Sequence, residues 1–561
     1  MLAQTDFDVV VIGSGAGGLT AALCLAQAGK KVLVCEQHYV AGGWCHSFTL
    51  EGYRFSPGVH YIGGLGPGGP MRAIYEGLGV SQDVAFSEIN PQGFDHILVG
   101  DKGDSAARFD IPKGREQYEE KLKARFPQER KGIAALFKVV DSLPQELSRL
   151  SRLRGVTDVA KLPLIAPNVL RWGWRSGKAL LDHYVSDPFL KAILSGQAGD
   201  HGLPLSLASA PVHAGIIHHY FDGGYYPIGG GFAIPRAFVR ALKRAGGEIR
   251  LQTRVDRILL ENGRAMGVRL ADGTEIRAGV VISNADPEVT FGRLIGREHL
   301  DGRLRRKLDR VRYSTSALSL FLAVDMDLRA AGLDSGNYWF YEHNDLEQIY
   351  RQGMTDAVLA AGKIPAIFLT VTTLKDPSKM HSGHHTLEAF TFVGYDAFQK
   401  WADEPSGQHN IAYQALKERL TDRMLDRLND LVPGFRDHVV FCELGTPLTN
   451  AFYLEASYGN LYGLEKSRFQ VGPGAFPTRS QIPGLYLVGA STISHGVAGV
   501  TASGLQAARQ ILNCRTADLL QNKGPALEVY PAEDVSQWPA RLRRRIEQRQ
   551  AALSPELEMD S

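Results

Sequence analysis

The chain has 561 residues, 44% of them hydrophobic and 22% charged, with a formal net charge of +2. That length exceeds one ordinary core, so two domains are expected, and the balanced charge gives no reason to expect a nucleic-acid partner. No run of about 18 apolar residues offers a membrane span, and no cationic segment with an apolar core opens the chain at Met1.

The first predicted element is a buried parallel strand, Phe7 to Ile12, read from its short apolar run. It ends in Gly13-Ser14-Gly15-Ala16-Gly17-Gly18, which fits the spacing G-x-G-x-x-G. From Leu19 to Ala28 the apolar pattern becomes helical, with Gly29 as the stop. Lys31 to Cys35 reads as a second strand ending at Glu36. Each part has a physical task. Gly13 permits the tight turn, Gly15 lets a pyrophosphate approach the backbone, and Gly18 lets helix and strand close on each other. The helix N-terminus faces the phosphates, and Glu36 accepts the hydrogens of a ribose diol. Strand, loop, helix, strand and acid stand in order, which makes a dinucleotide site the expectation rather than an ordinary βαβ turn. A NAD domain would usually continue into a third strand soon after Glu36. Here Gly42-Gly43 and Trp44-Cys45-His46-Ser47-Phe48 follow instead, a second close approach that fits the longer dinucleotide, FAD.

Further along, Gly52-Tyr53-Arg54-Phe55 and Gly58-Val59-His60-Tyr61-Ile62-Gly63-Gly64 read as a strand and turn leaving the nucleotide domain. Residues 116–221 look mainly helical, for example Gln117–Phe126 and Gly132–Leu150. Within them Lys161–Arg175 mixes Leu162, Leu164, Ile165, Leu170, Trp172 and Trp174 with flanking Lys161, Arg171 and Arg175. It reads either as a core helix with a basic end or as a helix lying in a membrane surface. Gly223-Gly224-Tyr225-Tyr226-Pro227-Ile228-Gly229-Gly230-Gly231 is a second glycine-rich turn, followed by a helix at Ala233–Ala245 and a strand at Glu248–Val255. Strands at Ala265–Leu270 and Glu275–Ile282, joined by an Asp272-Gly273 turn, end at Ser283-Asn284-Ala285-Asp286-Pro287. Ala317–Val324, Ile367–Thr373 and Thr386–Val393 read as strands, with a helix at Ile411–Leu431, and suggest a separate sheet domain for the substrate. Pro483–Ala490 is a last strand, and Gly496-Val497-Ala498-Gly499-Val500 opens a helix to Leu512. In Ser536–Leu553, Trp538, Leu542 and Ile546 form a stripe among Arg541, Arg543, Arg544, Arg545 and Arg549, a docked or solvated helix or an anionic-membrane contact.

The fold class expected is therefore α/β: a discontinuous Rossmann-like FAD-binding domain plus an α+β substrate domain with a mixed sheet and a helical cap. Its parts are residues 1–115, 222–300 and 441–515 for FAD, 116–221 and 301–440 for the cap and substrate, and 516–561 as a polar tail with a basic helix. Five cysteines (Cys24, Cys35, Cys45, Cys442, Cys514) lack a C-x-x-C spacing, which points to a reducing compartment and against zinc. His218-His219 and His381-x-x-His384-His385 have no accompanying Cys or carboxylate pattern, so no metal is expected.

The stretches VVVIGSGAGGLTAAL, EQHYVAGGWCHSF, GVHYIGG, GGYYPIGG, VVISNAD, GTPLTNAFYLEASYGNLYG and PGLYLVGASTISHGVAGVTASG, spread over about residues 6–513, resemble the carotenoid desaturase/isomerase superfamily of flavoproteins. Within it they are most similar to the all-trans-retinol 13,14-reductase branch. That resemblance implies noncovalent FAD, a long apolar substrate tunnel and peripheral membrane contact. It implies cofactor contacts at Gly13, Ser14, Gly15, Ala16, Gly17, Gly18, Glu36, Gln37, Gly42, Gly43, Val255, Asn284, Gly489, Ala490, Gly499 and Val500. Ala490 departs from the acid that many FAD proteins carry there. Retinol saturases carry a secretory entry signal, not seen here, so a cytosolic enzyme, or one on the inner face of a membrane, is expected.

The implied chemistry is hydride transfer between flavin and a carbon–carbon double bond of a conjugated polyene or isoprenoid, by saturation or desaturation. A redox-neutral carotenoid cis–trans isomerase, a reductase or reductive cyclase of a polyketide polyene, and a non-enzymatic prenyl-binding escort protein are the alternatives. His60, Tyr61 and Tyr226 are the catalytic candidates, since a His or Tyr can give the proton that completes a reduction; lining the tunnel is their bland alternative. No second nucleotide unit is seen, which leaves the electron donor or acceptor open.

Overall fold

Val9, Val10 and Val11 are buried on both faces, and Phe7–Ile12 accordingly forms a central strand with parallel neighbours on either side, Val32–Cys35 and Glu275–Ser283. The computed structural model describes residues 5–101, 107–150, 161–360, 362–521 and 523–551. Glu248–Arg250 extends this sheet beyond Val32–Cys35, and Leu485–Leu487 joins the other flank of Glu275–Ser283, both in parallel. The distal half of Glu275–Ser283 pairs antiparallel with Arg264–Leu270, which pairs with Val255–Glu261. Glu248–Val255, expected as one strand, is thus two: Glu248–Arg250 ends, and Gln252 at φ 51 turns the chain before Val255. The helices Ala16–Gln27, Ala233–Arg244 and Gly496–Leu512 pack together on one side, and Gly504 admits the contact because a Cβ there would lie 2.4 Å from Gly17 O.

A second seven-stranded sheet runs Val439–Gly445, Ser316–Val324, His385–Val393, Ala366–Val371, Asn337–Tyr341, Asp95–Val99, Ala107–Ile111. It is antiparallel except where Asn337–Tyr341 meets Asp95–Val99. Two boundaries expected from sequence are corrected here. Asp95–Val99 and Ala107–Ile111, expected with residues 1–115, and Val439–Gly445, most of it expected with 441–515, all belong to this sheet. A short buried strand carries no mark of which sheet it will join.

The helices Arg115–Arg125, Arg130–Leu150, Gly177–Tyr184, Pro188–Ser195 and Ala210–His219 form a cap whose core contains Phe137, Trp172, Leu190 and Ile217. Lys161–Arg175 is two short helices, Leu162–Ile165 and Pro167–Trp172, broken at Ala166 before Pro167. Trp172 is fully buried while Leu164 and Trp174 are 85% and 63% exposed, so neither sequence reading covers the whole segment. The tail is not simply polar. Glu528–Pro531 pairs with Ala85–Glu88 in a three-stranded sheet completed by Tyr225–Pro227, and Trp538 and Ile546 pack on Ile228. The apolar stripe of the basic helix is therefore turned inward.

Candidate functional site

A cavity of about 1180 Å³ runs from the glycine loop at the end of Phe7–Ile12 to the cap helices. At the loop, Gly13 sits at φ +87, a conformation that other residues rarely adopt, and this lets the chain reverse from strand into helix. Gly15 and Gly43 approach so closely that a Cβ on Gly43 would lie 3.4 Å from Gly15 Cα. A Cβ on Gly17 would lie 2.9 Å from Val500 O and 3.0 Å from Gly489 N. Neither Ala16–Gln27 nor Gly496–Leu512 has a side-chain acceptor at its N-cap residue, which leaves the backbone N–H groups of Ala16 and Gly17, and those of the first turn of Gly496–Leu512, at the cavity. Glu36 accepts from Ser14 N at 2.8 Å, Ser14 Oγ at 2.5 Å and His38 N at 2.9 Å. A carboxylate has about four acceptor positions, and this leaves one for a ribose hydroxyl. Asn284 Oδ1 takes Gly18 N at 3.1 Å, tying the end of Glu275–Ser283 to the first helix. The cradle therefore fits a dinucleotide such as FAD: two helix N-termini, closely approached glycines and an acid at the next strand end.

Of the predicted cofactor residues, Gly13, Ser14, Gly15, Ala16, Gly17, Glu36, Gln37, Gly42, Gly43, Val255, Asn284, Gly489, Ala490, Gly499 and Val500 line this one cavity. Gly18 lies behind it, where a Cβ would meet Gly13 O at 2.4 Å; its task is packing. Cys45 also lines the cavity, and burial pushes its thiol up to about 12, which keeps it protonated and unreactive.

The three catalytic candidates separate. His60 and Tyr61 line the cavity. His60 stacks on Phe390 with ring centres 5.8 Å apart, and its Nε2 lies 3.2 Å from Glu388 Oε2. Burial alone would raise the Glu388 carboxyl, but Lys379 and His60 outweigh it and hold Glu388 below its usual range. Tyr226 does not line the cavity: it is fully buried behind it, with its hydroxyl 3.0 Å from Lys379 Nζ. That position does not suit a proton donor to a bound substrate and corrects the expectation for Tyr226.

Sequence reading missed Asp200, Tyr220 and the groups behind Tyr61. Tyr61 stacks on Tyr220 at 4.4 Å, and its hydroxyl is 3.0 Å from Asp95 Oδ2 and 2.9 Å from Asp200 Oδ2. Asp95 also accepts from Gln197 Nε2 at 2.7 Å and Asn337 Nδ2 at 2.9 Å. Lys375 Nζ donates to Asn337 Oδ1 and to His60 O, and burial drives Lys375 down to about 7. An acid inside the apolar run Phe94-Asp95-His96-Ile97-Leu98-Val99 was a visible signal. Asp200, between glycines in an aperiodic stretch, gave none. Around these groups the wall is apolar, with Val212, Ile216, Phe368, Phe390, Leu461 and Tyr462.

Residues 16–512 match the family described as flavin containing amine oxidoreductase. The all-trans-retinol 13,14-reductase of Danio rerio is 32% identical over 529 residues, covering 91% of this chain and 86% of the relative. The chloroplastic prolycopene isomerase of Daucus carota is 28% identical, covering 93% and 82%. An oxidoreductase from Methanosarcina mazei shares the fold, with a TM-score of 0.63 at 20% identity over 89% of this chain and 99% of that one. Enzyme relatives and an intact cradle remove the escort-protein alternative. The chain belongs to the flavin-containing amine oxidoreductase family, an oxidoreductase whose cofactor is FAD.

Proposed function

We propose that this enzyme reduces a carbon–carbon double bond of a conjugated polyene of the retinoid or carotenoid class. The observation that carries the reading is the cavity itself, about 1180 Å³, which joins the FAD cradle to a wall of aliphatic and aromatic side chains suited to an apolar chain. FAD, when bound and reduced, supplies the hydride. The chain's own residues hold the cofactor through the fifteen predicted contacts that line the cavity, exclude water with the cap helices, and keep proton-bearing groups beside the polyene. Reduction is favoured over desaturation by the acid-rich corner at Asp200 and Tyr61, since addition across a double bond consumes a proton. The isomerase reading is the second one, and the carrot relative supports it. Mixing dithionite-reduced enzyme anaerobically with all-trans-retinol or prolycopene separates them. Return of the oxidised flavin band with a blue shift of the polyene is expected for reduction, whereas isomer change with the flavin still reduced overturns it.

The same reading has the enzyme drawing its substrate from a membrane, on the cytoplasmic side. Leu147, Leu170 and Trp174 are exposed at 42%, 52% and 63%, yet also line the cavity, so they stand at its rim, with Arg171 and Arg175 beside them. Among the described residues no helix is long and apolar enough to cross a membrane. Flotation with anionic vesicles is expected for the natural chain and is expected to be lost in the double variant Leu170→Glu, Trp174→Glu. Equal flotation of both would overturn the docking surface.

A further inference from the structure

We propose that Asp200 is the proton donor of this reduction, poised at the cavity wall by Tyr61, whose hydroxyl bridges it to the fixed carboxylate of Asp95. The proposal rests on the polyene-reduction reading above.

The geometry fixes the proton count. The Tyr61 phenol has one proton and two carboxyl neighbours, at 3.0 Å and 2.9 Å. With both carboxyls ionised, one contact would set oxygen against oxygen with nothing between them, and two like charges would share one bridge. Asp95, Tyr61 and Asp200 therefore hold one extra proton between them. Asp95 is the better anion. It takes hydrogen bonds from Gln197 and Asn337 as well, and Lys375 directs its charge to that side through Asn337. Asp200 has only phenols around its carboxyl, Tyr61 and Tyr220. The charge settles on Asp95 and the proton on Asp200. Burial and then the Asp95 charge raise Asp200 to about 8, whereas burial, offset by its donors, raises Asp95 only to about 6.

Asp200 is also in the right place. It lines the cavity, and its backbone carbonyl accepts from His495 Nε2 at 2.6 Å. His495 is the residue before Gly496–Leu512, the helix whose first turn lines the same cavity. The acid is thereby tethered to the N-terminus of a helix that forms part of the cofactor cradle.

The step balances. The π bond breaks; one carbon receives the hydride of the reduced flavin, and the other receives the Asp200 proton. The O–H electron pair stays on Asp200 as a carboxylate, and the Tyr61 O–H turns from Asp95 toward the new charge. Solvent returns the proton between turnovers. Besides Asp95, the ionisable groups facing Asp200 are Tyr61, Tyr220, Tyr341, Tyr350 and Tyr462, with His201 and His495 beside its backbone. Burial holds all five phenols above their usual range and both imidazoles below theirs, so the groups of the corner that titrate near neutrality are Asp200 and Asp95, with Lys375, at about 7, behind Asp95.

The test uses the full-length, FAD-loaded protein and Asp200→Asn, with flavin content and melting confirming that both are folded. Infrared difference spectra, wild type minus variant, at pH 7 should show a protonated carboxyl stretch that shifts in D₂O and fades as pH passes about 8. Absence of that band overturns the proposal without reference to any substrate. In single turnovers of dithionite-reduced enzyme with all-trans-retinol or prolycopene in D₂O, wild type should place two deuterium atoms across the saturated bond, one as hydride from the flavin, whose transferable hydrogen dithionite reduction takes from solvent, and one as the proton from Asp200. Asp200→Asn should slow that step by about 10²- to 10⁴-fold with polyene affinity unchanged. A variant as fast as wild type overturns the assignment. Tyr61→Phe should move the upper pH limb higher, because the Tyr61 hydrogen bond favours the Asp200 carboxylate; an unmoved limb overturns the Tyr61 role. If neither polyene reoxidises the wild-type flavin, the polyene reading fails, and a surviving carboxyl band shows that the failure lies there and not in the protonation of Asp200.

Discussion

The two ends of the cavity are built by opposite means. The cradle is made of backbone: Gly13 to Gly18 are consecutive, and what matters is the absence of side chains and the direction of N–H groups. The acid corner is made of side chains from distant segments, Tyr61, Asp95, Asp200, Asn337 and Lys375, which meet only after the sheet and the cap are assembled. The first has no room for a Cβ at Gly15, Gly17 or Gly18. The second tolerates no unmatched charge. The contrast is one between steric and electrostatic specification of a site.

Lys375→Met should give the largest effect. It removes the buried amine that donates to Asn337 Oδ1 and the His60 carbonyl beside Asp95, and leaving those two acceptors unmatched should cost about 2–4 kcal/mol at neutral pH. The cost should shrink near pH 5, below the Asp95 value of about 6, where that carboxyl takes a proton. Urea unfolding at the two pH values measures this, and an equal loss at both would show that the corner is not electrostatically coupled. Gly18→Ala tests the other end. Its Cβ would lie 2.4 Å from Gly13 O, a backbone atom that cannot swing away, so about 1–3 kcal/mol and much of the bound flavin should be lost. Retention of full flavin content by the purified variant would mean that the cradle has more slack than its geometry implies.

Those two changes also mark what could be read in advance. The cradle was legible because its physics is local: a strand, a turn that only glycine permits, a helix start and an acid all lie within Phe7–Glu36. The helices Ile411–Leu431 and Gly496–Leu512 begin and end where their periodicity says. His60 and Tyr61 were found because they sit in a glycine-flanked block. Asp200 was not, since its importance comes from Tyr61 and Asp95, 139 and 105 positions away along the chain. Tyr226 shows the reverse error. It shares a glycine-rich turn with Tyr225, yet the turn directs its hydroxyl to Lys379, away from the cavity.

Two smaller effects sharpen the comparison. Asp200 has a folded-state value of about 8 against an ordinary 3.8, so its protonated form stabilises the fold at low pH, and that contribution is lost as pH rises through about 8. Asp200→Asn should therefore flatten the fall of Tm between pH 5 and 8, as read by calorimetry; an unchanged slope would place the proton elsewhere. Tyr226→Phe should be the mildest, costing about 1 kcal/mol for the lost Lys379 contact and leaving turnover within a few-fold. A collapse of turnover in that variant, with polyene affinity intact, would return Tyr226 to the chemistry.

The central strand Phe7–Ile12 has a consequence for biosynthesis. One flank closes early on Val32–Cys35, but the other waits for Glu275–Ser283, with Asp6 and Arg277 bonded across 271 positions. Leu485–Leu487 then completes that side of the sheet. During synthesis the first strand and its glycine loop emerge almost first, and that edge stays open until about half of the chain has been made. A fragment ending near residue 115 would carry the whole fingerprint and hold no flavin, and the growing chain spends that interval with an apolar strand edge exposed to mispairing or to chaperones.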